Sequence, residues 1–201
     1  MSKERLGIFG GTFDPPHLGH LILAQEACAQ LDLARLLWVL TPIPPHKLGQ
    51  AITPPEYRLA MLELAVRDDP AFEVSRVELD RPGPHYTADT LRLLAERFPS
   101  ADLVLLIGGD SLRDLPTWRF APDLVAACRE IGVMRRPGAS VDLSALERQV
   151  PGAQARVRFV DAPLLEIASS EIRRRIRQAK PFRYYLSPAV YEYILEKHLY
   201  R

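Results

Sequence analysis

With 201 residues, 47% of them hydrophobic and 25% charged, the chain has the size and mix of one globular domain with room for a core and a ligand crevice. Its net charge of +1 excludes any general attraction to nucleic acid or to a membrane surface. No apolar run could span a bilayer, the stretch from Met1 to Arg5 is no secretory segment, and Cys28 and Cys128 have neither CxxC nor disulfide-ladder spacing, so a cytoplasmic domain with two small buried cysteines is expected.

The first apolar run, Leu6–Phe9, reads as a strand and passes into Gly10-Gly11-Thr12-Phe13-Asp14-Pro15-Pro16-His17-Leu18-Gly19-His20. Leu18, Leu21, Ile22, Cys28 and Leu31 follow at the spacing of one helical face. Glycines let a backbone approach a ligand closely, and the unpaired N–H groups of a helix start favour an anion. His17 and His20, three apart on the opening turn, face the same way and can both reach one phosphate. A cap and a packed ring would account for a lone histidine; two of them behind Gly-Gly-Thr point to chemistry at phosphorus. Thr12 adds a hydroxyl donor, and Asp14 suits either a metal or an Asx-type contact holding the loop.

Leu36–Leu40 is the second strand. The proline-rich stretch Thr41–Pro55 is a long internal loop, and within it Pro44-Pro45-His46-Lys47 is either a plain exposed loop or a stiffened one presenting an imidazole and a cation. Thr53-Pro54-Pro55-Glu56 has the spacing of a capping box, with Leu59, Leu62 and Val66 on the helix behind it. After a third strand at Phe72–Val77, Tyr86-Thr87-Ala88-Asp89-Thr90 opens a helix through Leu91, Leu94, Ala95 and Phe98. Thr87 suits its cap or, through its N–H and hydroxyl, a ligand carboxylate.

The strand Leu103–Ile107 runs into Gly108-Gly109, a second glycine pair, with Asp110 placed to accept from ribose hydroxyls. Pro116-Thr117-Trp118 puts a large aromatic in an irregular segment, as a packing anchor or as a stacking surface for a flat ring. Strands at Ile131–Met134 and Val157–Val160 follow. In Ile167-Ala168-Ser169-Ser170-Glu171-Ile172-Arg173, Ser169 or Ser170 is a natural N-cap, while Ile172 and Ile176 fall on a buried face. Arg173 then sits near the first turn, where the helix dipole disfavours a cation, so an anion bound beside it is favoured over a side chain pointing into water. Arg174, Arg175 and Arg177 read as a solvated face, and without interleaved aromatics they form no nucleic-acid platform. Ser187-Pro188 starts a last helix through Tyr191, Ile194 and Leu195.

Strands alternating with helices define the fold class as α/β: a Rossmann-like doubly wound, mostly parallel sheet with helices on both faces. Residues 1–201 form one domain, with the C-terminal helices, about 168–201, packed onto it. In a strand order of 3-2-1-4-5 the two glycine pairs flank one crevice at the carboxyl ends of neighbouring strands. Neither a GxGxxG fingerprint nor a P-loop occurs, which weighs against oxidoreductase and P-loop NTPase readings.

Together these residues resemble the nucleotidyltransferase superfamily marked by HxGH and ISSTxxR motifs, and more narrowly the bacterial nicotinate-nucleotide adenylyltransferase family. Gly10–His20 matches GGTFDPxHxGH, and Ile167–Arg173 matches the later motif with Ala168 and Ser170 as variants. Pro44–Lys47, Tyr86–Thr90, Gly108–Ser111, Pro116–Trp118 and Arg135–Gly138 match further blocks in order, so the resemblance covers nearly the whole chain. It departs at Leu40-Thr41-Pro42-Ile43, where an asparagine is usual, which bears on one contact to the pyridine mononucleotide.

The resemblance implies transfer of AMP from ATP to nicotinate mononucleotide, with Mg²⁺ brought in on ATP and no metal ligands on the protein. It implies His17, His20 and Arg173 as catalytic residues, and ATP binding by Gly10, Gly11, Thr12, Gly108, Asp110, Ser169 and Ser170. The mononucleotide would be held by His46, Lys47, Tyr86, Thr87 and Trp118. No nucleic-acid or membrane partner is expected, and monomer and homodimer both stay open. Pantetheine-phosphate adenylyltransferase shares the HxGH logic, but Trp118, Tyr86–Thr90 and the PPHK block count against it. Intact His17, His20 and Arg173 count against a silent nucleotide-binding protein on the same fold.

Overall fold

Strands buried on both faces read as continuous apolar runs, without polar alternation. The computed structural model describes residues 3–43, 51–134, 141–163 and 165–201. Among them, β1 (Glu4–Gly11), β2 (Arg35–Leu40), β3 (Phe72–Ser75), β4 (Ala101–Gly108), β5 (Glu130–Met134) and β6 (Val157–Val160) form one sheet. Its order is β3-β2-β1-β4-β5-β6 and every pairing is parallel. Parallel neighbours need crossovers, and helices supply them on both faces.

Alternating side chains divide the core. Leu6 and Ile8 of β1, Leu37 and Val39 of β2, and Leu103, Leu105 and Ile107 of β4 join Leu91 and Leu94 of α3 (Thr87–Arg97) and Leu124 and Val125 of α5 (Ala121–Ala127). Phe9, Leu36, Trp38, Leu40, Val104 and Leu106 turn the other way, onto Ala24 and Ala27 of α1 (Leu18–Gln30) and Leu62 and Val66 of α2 (Pro55–Val66). A third cluster packs Ile172 of α8 (Ser169–Arg177), Leu186, and Val190 and Ile194 of α9 (Pro188–Glu196) against Met61 of α2. Thus α2 serves the sheet with one side and the C-terminal helices with the other.

Local details differ from the sequence expectations. Thr53 does not cap α2, whose N-cap is Pro54. Neither serine caps α8: Ala168 is the N-cap, and Ser169 and Ser170 occupy the first two helical positions. Likewise Tyr86 is the N-cap of α3 and Thr87 its first residue. The third strand stops at Ser75, whose hydroxyl accepts the Val77 N–H at 3.4 Å and turns the chain. Between β4 and β6 lie short helices, α4 (Gly109–Asp114), α6 (Leu143–Gln149) and α7 (Ala153–Arg156), beside α5. At one or two turns each they are too short for a repeating apolar face to mark them. No helix among the described residues is long and apolar enough to cross a membrane.

Candidate active site

The glycine pairs close the carboxyl ends of β1 and β4. Phe9 pairs with Leu106, so Gly10-Gly11 runs beside Ile107-Gly108. A Cβ added to Gly10 or Gly108 would meet nothing within 4 Å, so the space beside both strand ends is open. Gly11 has a different purpose: a Cβ there would lie 2.8 Å from Cζ of Phe13. Phe13 turns the chain with a φ of 47°, in the left-handed region that residues with side chains seldom adopt. Its buried ring packs edge-on to Phe9 and tilted against Trp38, at centroid distances of 5.5 and 5.4 Å, and these contacts hold the turn.

The two histidines then open α1. His17 is the extended N-cap residue, and its backbone N–H donates to Nδ1 of His20 at 3.2 Å. Their rings stack 3.6 Å apart. Gly19 makes this possible, since a Cβ there would sit 3.1 Å from Nδ1 and 3.2 Å from Cε1 of His17. The rings do face one way, but in depth: His17 is buried, and His20 lines a cleft of about 140 Å³ together with Thr12, Asp14, Ser169 and Arg173. The two ends of the sequence pattern, some 150 residues apart in the chain, therefore share one cavity.

Asp14 joins them. It is 4% exposed, with Oδ1 accepting the Tyr200 hydroxyl at 2.7 Å and Oδ2 accepting the Thr53 N–H at 3.3 Å. Nη1 of Arg173 donates to the Asp14 carbonyl at 2.7 Å and lies 3.9 Å from Oδ2. Asp14 thus holds the loop, through long-range partners in place of a local Asx turn. Ser169 donates its hydroxyl to the Pro15 carbonyl at 2.8 Å, tying the start of α8 to the same loop. Burial raises the Tyr200 phenol well above its usual range, and the Asp14 charge and hydrogen bond add to this.

Arg58, fully buried on α2, fixes the surrounding backbone. Its guanidinium donates to the carbonyls of Thr12 and Thr41 at 2.8 Å, Thr53 at 2.7 Å and Pro42 at 2.6 Å. Burial lowers its pKa from the usual arginine value, with the Asp14 charge opposing.

Among the described residues, Tyr86, Thr87, Trp118, Asp110 and Ser170 do not line this cavity. Tyr86 and Thr87 stand at the start of α3, where the Arg119 guanidinium lies 5.1 Å from the centroid of the Tyr86 ring and 4.9 Å from that of Phe120. Trp118 is partly buried and packs on the first core. Asp110 is exposed in the first turn of α4, with Nη2 of Arg113 at 3.1 Å, and Ser170 is exposed. Arg174 pairs with Glu171 at 2.6 Å, while Arg175 donates to the Pro181 carbonyl at 2.7 Å, so only part of that face is solvated. His46, Lys47 and the Arg135–Gly138 block lie outside the described residues. Burial raises the Cys28 thiol to about 11 and the Cys128 thiol to about 12, so neither is a nucleophile at neutral pH.

Arg58, Tyr200 and Arg119 had no part in the sequence reading. Arg58 did leave a signal, as a charge in line with Leu62 and Val66 at intervals of four. Tyr200 left none, because its partner is 186 positions away.

A parallel sheet with open glycine ends, an imidazole and a guanidinium on one cleft defines a Rossmann-like protein built to hold nucleotide phosphates. Residues 8–175 match the family model described as Cytidylyltransferase-like. A probable nicotinate-nucleotide adenylyltransferase of Thermomicrobium roseum is 49% identical over 98% of this chain and 92% of its own. The nicotinate-nucleotide adenylyltransferase of Bacillus subtilis is 39% identical over 98% of both chains. A solved structure of the Plasmodium falciparum nicotinic acid mononucleotide adenylyltransferase complexed with NaAD shares the fold, with a TM-score of 0.79 over 98% of this chain and 97% of that one at 19% identity. The chain belongs to the Cytidylyltransferase-like family and, within it, to the nicotinate-nucleotide adenylyltransferases.

Proposed function

We propose that the chain transfers AMP from ATP to nicotinate mononucleotide, yielding nicotinate adenine dinucleotide and pyrophosphate in NAD biosynthesis. A phosphate oxygen of the mononucleotide attacks the α-phosphorus of ATP in line. As that P–O bond forms, the bond to the bridging oxygen of the β-phosphate breaks and pyrophosphate leaves. A phosphate monoester has its second pKa at about 6, so the nucleophile is ionised at neutral pH and needs no general base. Positioning and charge stabilisation then carry the catalysis.

The convergence of Thr12, His20 and Arg173 on one cleft at the end of β1, in a chain of this family, carries the reading. His20 donates to the α-phosphoryl oxygens as charge builds there, and His17, stacked behind it, completes the phosphate-holding pair. Arg173, with Ser169 and Ser170 at the start of α8, holds the β- and γ-phosphates. Gly10, Gly11 and Thr12 allow the phosphates close to the backbone, and Gly108 and Asp110 take the adenosine. Trp118 stacks on the pyridine ring, Tyr86 and Thr87 read its carboxylate at the α3 terminus, and His46 and Lys47 close over the mononucleotide. Magnesium enters as MgATP, held by the substrate phosphates. We place the reaction in the cytoplasm, on a single domain of residues 1–201 with about 168–201 packed onto it.

The test is pyrophosphate release from MgATP with nicotinate mononucleotide, nicotinamide mononucleotide or phosphopantetheine. Strong release with the acid, weak release with the amide and none with phosphopantetheine is expected. Equal use of acid and amide would discard the carboxylate role of Thr87, and release with phosphopantetheine alone would discard the pyridine site. His20→Ala should lower turnover by about 10²–10³-fold while the protein stays folded; unchanged turnover sinks its catalytic role.

A further inference from the structure

The segment after α9 reaches back to the phosphate loop, and the contact it makes is specific. The Tyr200 hydroxyl donates to Oδ1 of Asp14 at 2.7 Å, while its ring lies in the cluster around Met61. Tyr200 holds this position with a φ of 66°, a left-handed conformation uncommon for a residue with a side chain. Asp14 in turn receives Nη1 of Arg173 on its carbonyl at 2.7 Å. One edge of that guanidinium is therefore committed to Asp14. Its Nε and Nη2 make no hydrogen bond among the described residues, and Arg173 lines the cleft.

We propose that Tyr200 is a positioning residue of the reaction: by anchoring the Asp14 carboxylate it fixes the Arg173 guanidinium with its other edge toward the incoming triphosphate. This rests on the reading of Arg173 as a phosphate-holding group. Three parts of the chain meet here without local support from one another. Asp14 belongs to a turn, Arg173 to a helix on the third core, and Tyr200 to the segment behind α9. A guanidinium on a flexible stem gains most from being held before the ligand arrives, because less motion is then lost on binding. Without the phenol, the hydrogen bond and ion-pair contact left to the Asp14 carboxylate among the described residues are the 3.3 Å bond from Thr53 and the 3.9 Å approach of Arg173, and its Oδ1 loses a buried donor.

The experiment is a four-protein cycle of wild type, Tyr200→Phe, Arg173→Ala and the double variant. Phenylalanine keeps the ring beside Met61 and removes only the hydroxyl. Two quantities are read: kcat/KM for ATP by pyrophosphate release, and MgATP affinity by calorimetry, with thermal midpoints as the check on folding. Tyr200→Phe should lower both by about tenfold, leave the KM for nicotinate mononucleotide within about twofold, and have no further effect once Arg173 is alanine. A general loss of packing would instead act equally in both backgrounds. An equal loss beside Arg173→Ala, or none in the wild-type background, overturns the proposal. If the wild type released no pyrophosphate with nicotinate mononucleotide, the functional reading would fail, and the same coupling or its absence in MgATP affinity would still decide the role of Tyr200.

Discussion

At the scale of single residues, the site depends on groups that make room as much as on groups that bind. Gly19 has no side chain because the His17 ring already occupies that place, 3.1 Å from where a Cβ would be. Alanine is the better helix former by about 1 kcal/mol, so Gly19→Ala should leave the thermal midpoint nearly unchanged or raise it. It should nevertheless displace the His17 ring, and with it the stacked His20, by a few tenths of an ångström. Turnover is then expected to fall about tenfold or more, since small misplacements of catalytic groups are costly. Full turnover in a stable Gly19→Ala protein would show that the stacking is incidental.

At the scale of elements, α2 is the hub. Its apolar residues pack on the sheet and on the C-terminal helices, and from its first turn Arg58 holds the carbonyls of Thr12, beside the cleft, and of Thr41, at the end of β2. Replacing Arg58 with methionine keeps the aliphatic stem and leaves the carbonyls of Thr12, Thr41, Pro42 and Thr53 without this donor. At about 1–3 kcal/mol for each buried group left unsatisfied, the loss should reach about 3 kcal/mol or more, read as a lower urea midpoint. A midpoint unchanged within error would mean that water replaces the arginine without cost. Periodicity shows the sheet side of this helix and misses the rest, because a helix covered on two sides loses the polar stripe that marks an amphipathic one.

At the scale of the whole molecule, the connection from β3 to α3 brings buried polar groups into the fold. His85 and Glu78 are buried beside Thr90, whose hydroxyl donates to Glu78 at 2.6 Å. Burial lowers the His85 pKa below its usual 6.5, with Arg81 acting in the same direction and Glu78 against it. The unfolded chain therefore takes up this proton first. Its contribution to stability is full above about pH 6.5 and is lost as the pH falls toward the lowered value. Urea midpoints of the wild type should drop across that window, and His85→Gln should flatten the drop. The Glu4 carboxyl, held below its usual 4.5 chiefly by its hydrogen bond to Arg35, contributes fully above that value and loses its contribution only at more acid pH, below this window. The same slope in wild type and variant would contradict this assignment.

The strands, the sheet's two-sided burial and the two motifs that meet at the cleft were legible in the sequence, because each rests on neighbours in the chain: apolar runs, a glycine turn, histidines three apart, serines before an arginine. Helix starts were read less well, since Thr53, Thr87 and Ser169 have the right chemistry for caps but stand one position away from the residues that fill that role. Only the tertiary structure decided which histidine lines the cleft, what Asp14 holds, and that Arg58 and Tyr200 bond to the loop that carries Thr12 and Asp14. Those answers depend on residues 14, 58, 173 and 200 meeting in one place, and no local pattern encodes a hydrogen bond between groups 186 positions apart.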